Sequence, residues 1–285
     1  MPFSSTRKIA EAAIAAALWA APNLSAQVTD LTVLRQRAKD IQSTMFGREC
    51  TPECIHPQIG ELKKLVRDYS LQKLNQSNGD TEALMRDLLT IDNAWLLDWT
   101  NKRPTRENGV PPFTFRRKNP GGELIVTVNS FATGATALPQ DAVIIQGFRT
   151  ENGQYFFADE TGDSLFGISW VYHPAEMLQS PVPDEVWFII GGQVSGVMGH
   201  LDRVRVFSFD GHRFQERWAP EDREAMEITV SNDEIRATYL GPKVEPPGGR
   251  GFPHQDHMEE KLHLSVTGVE QISLWNHHDT VPQRR

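Results

Sequence analysis

Residues 203–218 read RVRVFSFDGHRFQERW, and this stretch decides the fold class. Polar and apolar residues interleave on both sides of Asp210-Gly211, which is the pattern of two half-buried strands. An aspartate followed by a glycine tolerates the positive φ angles of a two-residue hairpin turn. The stretch therefore predicts an antiparallel hairpin whose first strand ends at Phe209 and whose second resumes near His212.

The same period of two recurs through residues 113–276 and predicts a β-rich domain over that range. Asn152-Gly153, Asn232-Asp233 and Thr267-Gly268 mark further tight turns, so the strands follow one another as an antiparallel meander. A sandwich, a barrel and a propeller-like array would each remove exposed strand edges, and periodicity does not choose among the three architectures. The predicted strands are 113–117, 123–128, 142–148, 154–158, 167–172, 185–190, 203–209, 213–218, 226–230, 234–240, 261–266 and 270–275.

Upstream of residue 101 the apolar residues are spaced by three and four, which predicts three amphipathic helices in a helical unit over residues 27–100. The first helix follows an N-cap at Asp30, the second begins near Pro57, and the third follows an N-cap at Asp80. Residues 101–112 are polar, end in two prolines and form a linker, and residues 277–285 form a polar tail. The predicted fold class is α+β, with an antiparallel helical unit followed by the β-meander domain.

The first 26 residues have the three parts of a secretory signal peptide. Arg7 and Lys8 form a positive start, residues 9–21 form a short apolar run, and Ala26 offers a small residue for cleavage. The sequence therefore predicts a chain that begins at Gln27 after cleavage and is secreted or periplasmic. An amphipathic N-terminal helix is the alternative interpretation.

Cys50 and Cys54 are the two cysteines of the chain, and in an oxidising compartment such a close pair favours a disulfide bond. A redox pair would have two intervening residues instead of three, and haem attachment would need a histidine directly after the second cysteine. His56 lies one position too late for that pattern. We therefore expect a disulfide in the loop between the first two helices.

The formal net charge is −8, and the longest basic run is the three residues 116–118. Binding to nucleic acid or to an anionic membrane begins with clustered lysine and arginine, so neither is an expected partner. No apolar run after the signal reaches the roughly 18 residues of a transmembrane helix. We expect no integral membrane segment once the signal is removed.

Three segments of the β-rich half resemble a group of uncharacterised secreted, β-rich proteins of soil bacteria. They are residues 184–192 (DEVWFIIGG), residues 203–214 (RVRVFSFDGHRF) and residues 218–222 (WAPED). The resemblance implies an exported β-rich chain. It implies no activity and no catalytic residue.

A metal site is the one chemical centre that the histidines and carboxylates allow. His254, Asp256 and His257 lie together after the loop sequence PPGGRG, and His277-His278-Asp279 lies near the C-terminus. Because a loop does not fix the ligand spacing as a zinc-protease helix does, we interpret the first group as a polar loop. We expect no metal and no cofactor.

Three other motifs do not predict a specific chemical function. Residues 191–199 (GGQVSGVMG) match neither a nucleophile elbow nor a phosphate loop, and we interpret them as a flexible crossover, with a binding loop as the alternative. Residues 159–163 (DETGD) resemble a calcium loop only in part, and Glu221-Asp222 is interpreted as surface charge.

The chain is therefore expected to be a non-catalytic binding or interaction module for an unknown protein or small-molecule ligand. The alternative hypothesis is an extracytoplasmic hydrolase, metal-assisted through His254, Asp256 and His257.

Overall fold

The structure is a computed structural model and describes residues 30–45, 52–92, 113–132, 141–161, 168–170, 176–196, 199–244 and 255–277. Over these ranges the fold is α+β, with three helices followed by strands that all pair antiparallel. The helices are α1 Leu31–Met45, α2 Pro52–Gln76 and α3 Thr81–Asp92. The strands are β1 Phe113–Asn119, β2 Gly122–Ala132, β3 Asp141–Glu151, β4 Gln154–Thr161, β5 Ile168–Trp170, β6 Glu176–Leu178, β7 Val186–Gly196, β8 Gly199–Phe209, β9 Phe214–Trp218, β10 Glu224–Ser231, β11 Glu234–Leu240, β12 His257–Ser265 and β13 Gly268–His277.

Side-chain caps explain where two helices begin. Asp30 Oδ1 accepts a hydrogen bond from the Thr32 N–H at 3.0 Å, and Asp80 Oδ1 accepts one from the Ala83 N–H at 3.0 Å. Both predicted N-caps are confirmed. The predicted start of α2 was too late, because the helix begins at Pro52, where proline's missing N–H costs nothing.

Several predictions fall on residues outside the described ranges. These are the signal segment before residue 30, the linker 101–112, Cys50, His254 and the tail after residue 277. The Cys50–Cys54 disulfide therefore stays a prediction.

The strands form two sheets. The larger has nine strands in the order β1-β2-β3-β5-β7-β8-β9, with β4 paired to β3 and β6 paired to β7. The smaller has four strands in the order β10-β11-β12-β13. All the predicted strands are present, and β6 is one that the sequence analysis missed.

Three buried clusters arrange these elements in layers. In the first, the apolar faces of the three helices pack against Ile125, Ile144 and Phe148 on the outer face of β2 and β3. In the second, strands β1 to β3 contact strands β7 and β8 through facing residues such as Val126 and Phe188, so the large sheet folds over onto itself. In the third, the opposite face of β7 and β8, which includes Trp187, packs against the four-stranded sheet.

One helix also bonds to the backbone of a strand. The Asn75 side-chain amide near the end of α2 donates to the Tyr155 carbonyl at 3.1 Å, and its oxygen accepts from the Tyr155 N–H at 2.9 Å. These are the two backbone groups that a neighbouring strand would bind. Among the described strands β4 pairs only with β3, so the amide occupies part of the other edge of β4.

The glycine-rich residues 191–196 are not a crossover, and that prediction was wrong. They continue β7, and the ladder with β8 runs from the Val186–Phe209 pair to the Gly196–Gly199 pair. Glycine lowers strand propensity, but the long β7–β8 pairing overrides this local preference. The crossover interpretation relied on composition alone.

The hairpin predicted at residues 203–218 is present, with a longer turn than predicted. Phe209 pairs with Phe214, which leaves four residues in the turn, including Asp210 and Gly211. Gly211 has the expected positive φ of 89°. Asp210 Oδ1 accepts hydrogen bonds from the N–H groups of His212 at 2.7 Å and Arg213 at 2.8 Å, so its side chain closes the turn.

Candidate functional site

A cleft of about 370 Å³ lies at the end of the large sheet where four strand connections meet. Its walls are the β1–β2 turn with the first residues of β2, the end of β3, Asp184 before β7, and the β8–β9 turn. We call this the turn-end cleft. Its volume is within the range of about 300–1,000 Å³ that is typical of small-molecule sites.

The backbone at the start of β2 requires glycine. Gly122 has a φ of 142°, and a Cβ atom there would lie 2.6 Å from the Thr150 carbonyl oxygen. The next N–H, that of Glu123, donates to Thr150 Oγ1 at 2.6 Å. The close approach of β2 to the end of β3 therefore fixes the position of the Glu123 side chain in the cleft wall.

Glu123 is a nearly buried carboxylate, with 8% of the residue exposed. Arg116 donates to both of its oxygens, from Nε to Oε1 and from Nη2 to Oε2 at 3.0 Å. The Tyr155 hydroxyl also donates to Oε2, at 2.5 Å. We call Arg116, Glu123 and Tyr155 the buried triad after its buried carboxylate and phenol, while the Arg116 side chain is 41% exposed.

Burial and hydrogen bonding set the protonation of the triad. Burial acts to raise the pKa of Glu123, but the hydrogen bonds from Arg116 and Tyr155 outweigh it, and the pKa lies below its ordinary value. Burial and the bond to Glu123 raise the pKa of Tyr155 to about 12. At neutral pH the carboxyl group is therefore ionised and the phenol keeps its proton.

Arg149 crosses the cleft wall towards the β8–β9 turn. Its Nη1 contacts both ring nitrogens of His212, with Nε2 at 3.1 Å, and its Nη2 lies 2.6 Å from Glu151 Oε1. The Arg149 Nε atom is buried without a hydrogen-bond partner. A buried donor without a partner costs free energy, and here the contacts of the two outer nitrogens hold the guanidinium in place.

The charge of the lining is mostly negative. Four carboxylate residues line the cleft, against one guanidinium group from Arg149. They are Glu123, Glu151, Asp184 and Asp210. Of these, Asp184 and Glu151 lie in exposed positions at the mouth. Three of the four already face an arginine, Glu123 with Arg116, Glu151 with Arg149 and Asp210 with Arg213, so Asp184 carries most of the uncompensated negative charge of the lining.

The residues that the sequence analysis proposed for metal chemistry do not meet here. Asp256 Oδ2 accepts a hydrogen bond from Asn276 Nδ2 at 2.8 Å, and His257 begins strand β12 in the smaller sheet. His254 lies outside the described residues. In the described part of the chain, no three histidine, cysteine or acidic side chains already surround a metal-sized space.

The other acidic motifs have structural partners. Asp159 accepts hydrogen bonds from the N–H groups of Glu160 at 2.9 Å and Phe214 at 2.8 Å, which joins β4 to β9. Asp222 forms a two-pronged contact with Arg203, with bonds of 2.8 and 2.6 Å. These side chains stabilise connections between strands.

Sequence reasoning missed the buried triad and Arg149. Their positions lie on four different strands, β1, β2, β3 and β4, and only the strand register brings them together. The signal that was available is Gly121-Gly122, a tight-turn sequence followed at once by a carboxylate.

No helix in the described ranges is both long enough and apolar enough to cross a membrane. In comparisons with known proteins, no protein-family model, no curated protein and no solved structure matches the chain.

Proposed function

We propose that this chain is an exported, non-catalytic binding module, and that the turn-end cleft is its ligand site. We infer export from the signal-like residues 1–26. The resemblance of three segments of the β-rich half to secreted β-rich proteins of soil bacteria supports the same inference. The layered packing favours a sandwich-like scaffold over separate blades, since the large sheet folds over and the small sheet covers its outer face.

The single observation that carries the proposal is the fixed protonation of the buried triad. General acid–base catalysis works best with a group whose pKa lies near the operating pH. Glu123 has a lowered pKa and Tyr155 has one of about 12, so neither exchanges a proton near pH 7. Glu123 is the triad member that lines the cleft, so it keeps a constant negative charge in the cleft wall, which suits recognition.

The charge of the lining gives the ligand class. A small polar cation would meet the exposed carboxylate of Asp184, with the Arg149-paired Glu151 beside it, and an acceptor group on the same molecule would meet the part-exposed guanidinium of Arg149. The ligand class that fits is therefore a small, positively charged polar molecule that also carries a hydroxyl or carbonyl group.

Thermal-shift titration with glucosamine, choline and arginine, each matched to a neutral analogue, tests the proposal. We expect at least one cation to raise the melting temperature while its neutral analogue does not, because only a bound ligand stabilises the native state. The Glu151→Gln and Asp184→Asn variants should reduce the shift.

The matched control is Glu227→Gln, which removes a carboxylate from an exposed position on β10 of the other sheet. It should leave the shift unchanged. Equal shifts for every cation and its neutral analogue, or equal losses in the control and cleft variants, would contradict this site assignment.

A further inference from the structure

Tyr155 on β4 connects the three helices to the turn-end cleft. The residue belongs to the buried cluster between the helices and strands β2 and β3, together with Leu74 of α2. Its hydroxyl donates a hydrogen bond of 2.5 Å to Glu123, which lines the cleft. One side chain therefore packs in the helix–sheet core and also contacts a carboxylate of the cleft wall.

The backbone of Tyr155 is held by the end of α2. The Asn75 side chain binds both backbone groups of Tyr155, at 2.9 Å to the N–H and at 3.1 Å to the carbonyl. Two bonds from one amide fix the strand residue relative to the helix, so the point from which the phenol projects is set by the docking of α2.

Gly79, in the loop between α2 and α3, lies against the hydroxyl of the same tyrosine. It is buried, its φ is 80°, and a Cβ atom built there would lie 2.1 Å from Tyr155 Oη. The loop is fixed on both sides, because the Gly79 N–H donates to the Leu74 carbonyl at 2.8 Å and the next residue, Asp80, caps α3. A larger residue at position 79 would therefore displace the hydroxyl, which is the far end of a flexible side chain.

We propose that the helices position the charged wall of the cleft, with Asn75 and Gly79 as positioning residues that act through Tyr155. A hydrogen bond donated to a carboxylate stabilises its ionised form, and Tyr155 is the donor to Glu123 that the helices hold in place. The helices thus contribute to the negative charge of the cleft without lining it. The inference rests on the cleft as the ligand site, but its test needs no ligand, so a failed cation titration and a failed test of the helices are told apart.

The test is the pKa of the Glu123 carboxyl group, measured by carbon-detected NMR on the full chain with labelled glutamate and assigned with Glu123→Gln. In Gly79→Ala the new methyl group moves the Tyr155 hydroxyl away from Glu123, so we expect a higher Glu123 pKa than in the wild type. Tyr155→Phe should raise this pKa too. Adding Gly79→Ala to Tyr155→Phe should raise it no further, since the hydrogen bond is already lost.

The matched control is Gly153→Ala. Gly153 has a φ of 79°, close to that of Gly79, and lies two positions before Tyr155, but a Cβ atom built there meets no atom of the described chain within 4 Å. The backbone strain of the two variants is therefore similar, and only one of them displaces the phenol. Gly153→Ala should leave the Glu123 pKa at the wild-type value.

Asn75→Ala reaches the same measurement by a second route if Gly79→Ala does not fold. Loss of the amide releases the Tyr155 backbone and should also raise the Glu123 pKa, whereas Gln76→Ala, at the exposed neighbouring position of α2, should not. The proposal is overturned if neither positioning variant raises the pKa, if a control raises it as much, or if Gly79→Ala raises it equally with and without the Tyr155 hydroxyl.

Discussion

The hydrogen bond between Tyr155 and Glu123 should be measurable as a coupling energy in a double-mutant cycle. The bond is 2.5 Å long, and the two residues are 6% and 8% exposed. A hydrogen bond to a charged group contributes about 1.5–3 kcal/mol. Arg116 still contacts Glu123 in a Tyr155→Phe variant, so the carboxylate is not left alone, and we take the lower end of that range.

We therefore expect Tyr155→Phe and Glu123→Gln each to lower the free energy of unfolding, with a coupling of about 1.5 kcal/mol at pH 7. Urea denaturation followed by circular dichroism gives all four free energies of the cycle. The matched control cycle combines Tyr155→Phe with Glu151→Gln, a neighbouring carboxylate at an exposed position. Its effects should add within about 0.5 kcal/mol.

Repeating the cycle at successively lower pH sharpens the test. As Glu123 becomes protonated, the bond is no longer made to a charge, and the coupling should decrease. A coupling below about 0.5 kcal/mol at pH 7, or one equal to that of the control cycle, would show that the buried triad does not stabilise the fold in the way described.

Three further predictions concern stability. Because the folded-state pKa of Glu123 is lowered, its contribution to the free energy of unfolding is complete above the unfolded pKa of about 4.3 and is lost as the pH falls through the folded pKa. The difference in melting temperature between wild type and Glu123→Gln should therefore become smaller below about pH 4. A constant difference would count against this linkage. Gly211→Ala should lower the free energy of unfolding more than Gly153→Ala does. Both variants lose about 1–2 kcal/mol for the positive φ, but only at Gly211 would the new Cβ atom lie 2.9 Å from Leu124 Cδ2. Equal losses of unfolding free energy in urea denaturation would exclude that contact. Asp80→Ala should cost about 1 kcal/mol by the same assay through loss of the α3 N-cap, and an unchanged midpoint would rule the cap out as a stabilising bond.

Periodicity in the sequence located the regular elements because each element buries one face. Leu34, Ala38 and Ile41 are at most 1% exposed and lie at the predicted helical spacing. The turn at Asn152-Gly153 was equally readable, since both residues have positive φ angles of 53° and 79°. Strand β6 could not be found this way, because the three residues Glu176–Leu178 are too few to show a period.

The buried triad lay beyond sequence reasoning because its assembly depends on strand register. Glu123 and Tyr155 are 32 positions apart, and nothing local to either residue indicates the other. A shift of one residue in the β3–β4 pairing would have turned the Tyr155 side chain to the opposite face of the sheet.

The contact between Asn75 and the Tyr155 backbone has a consequence for self-association. An open strand edge is a template on which another chain can add a strand, and proteins protect such edges to stay dispersed. At Tyr155 on β4 this protection comes from the Asn75 amide of α2, which imitates the bonds of a neighbouring strand. Since that amide is in place only when the helix is docked, a chain whose β strands form before its helices settle exposes this edge to other copies. Folding is therefore a period in which the β4 edge adds to the risk of aggregation.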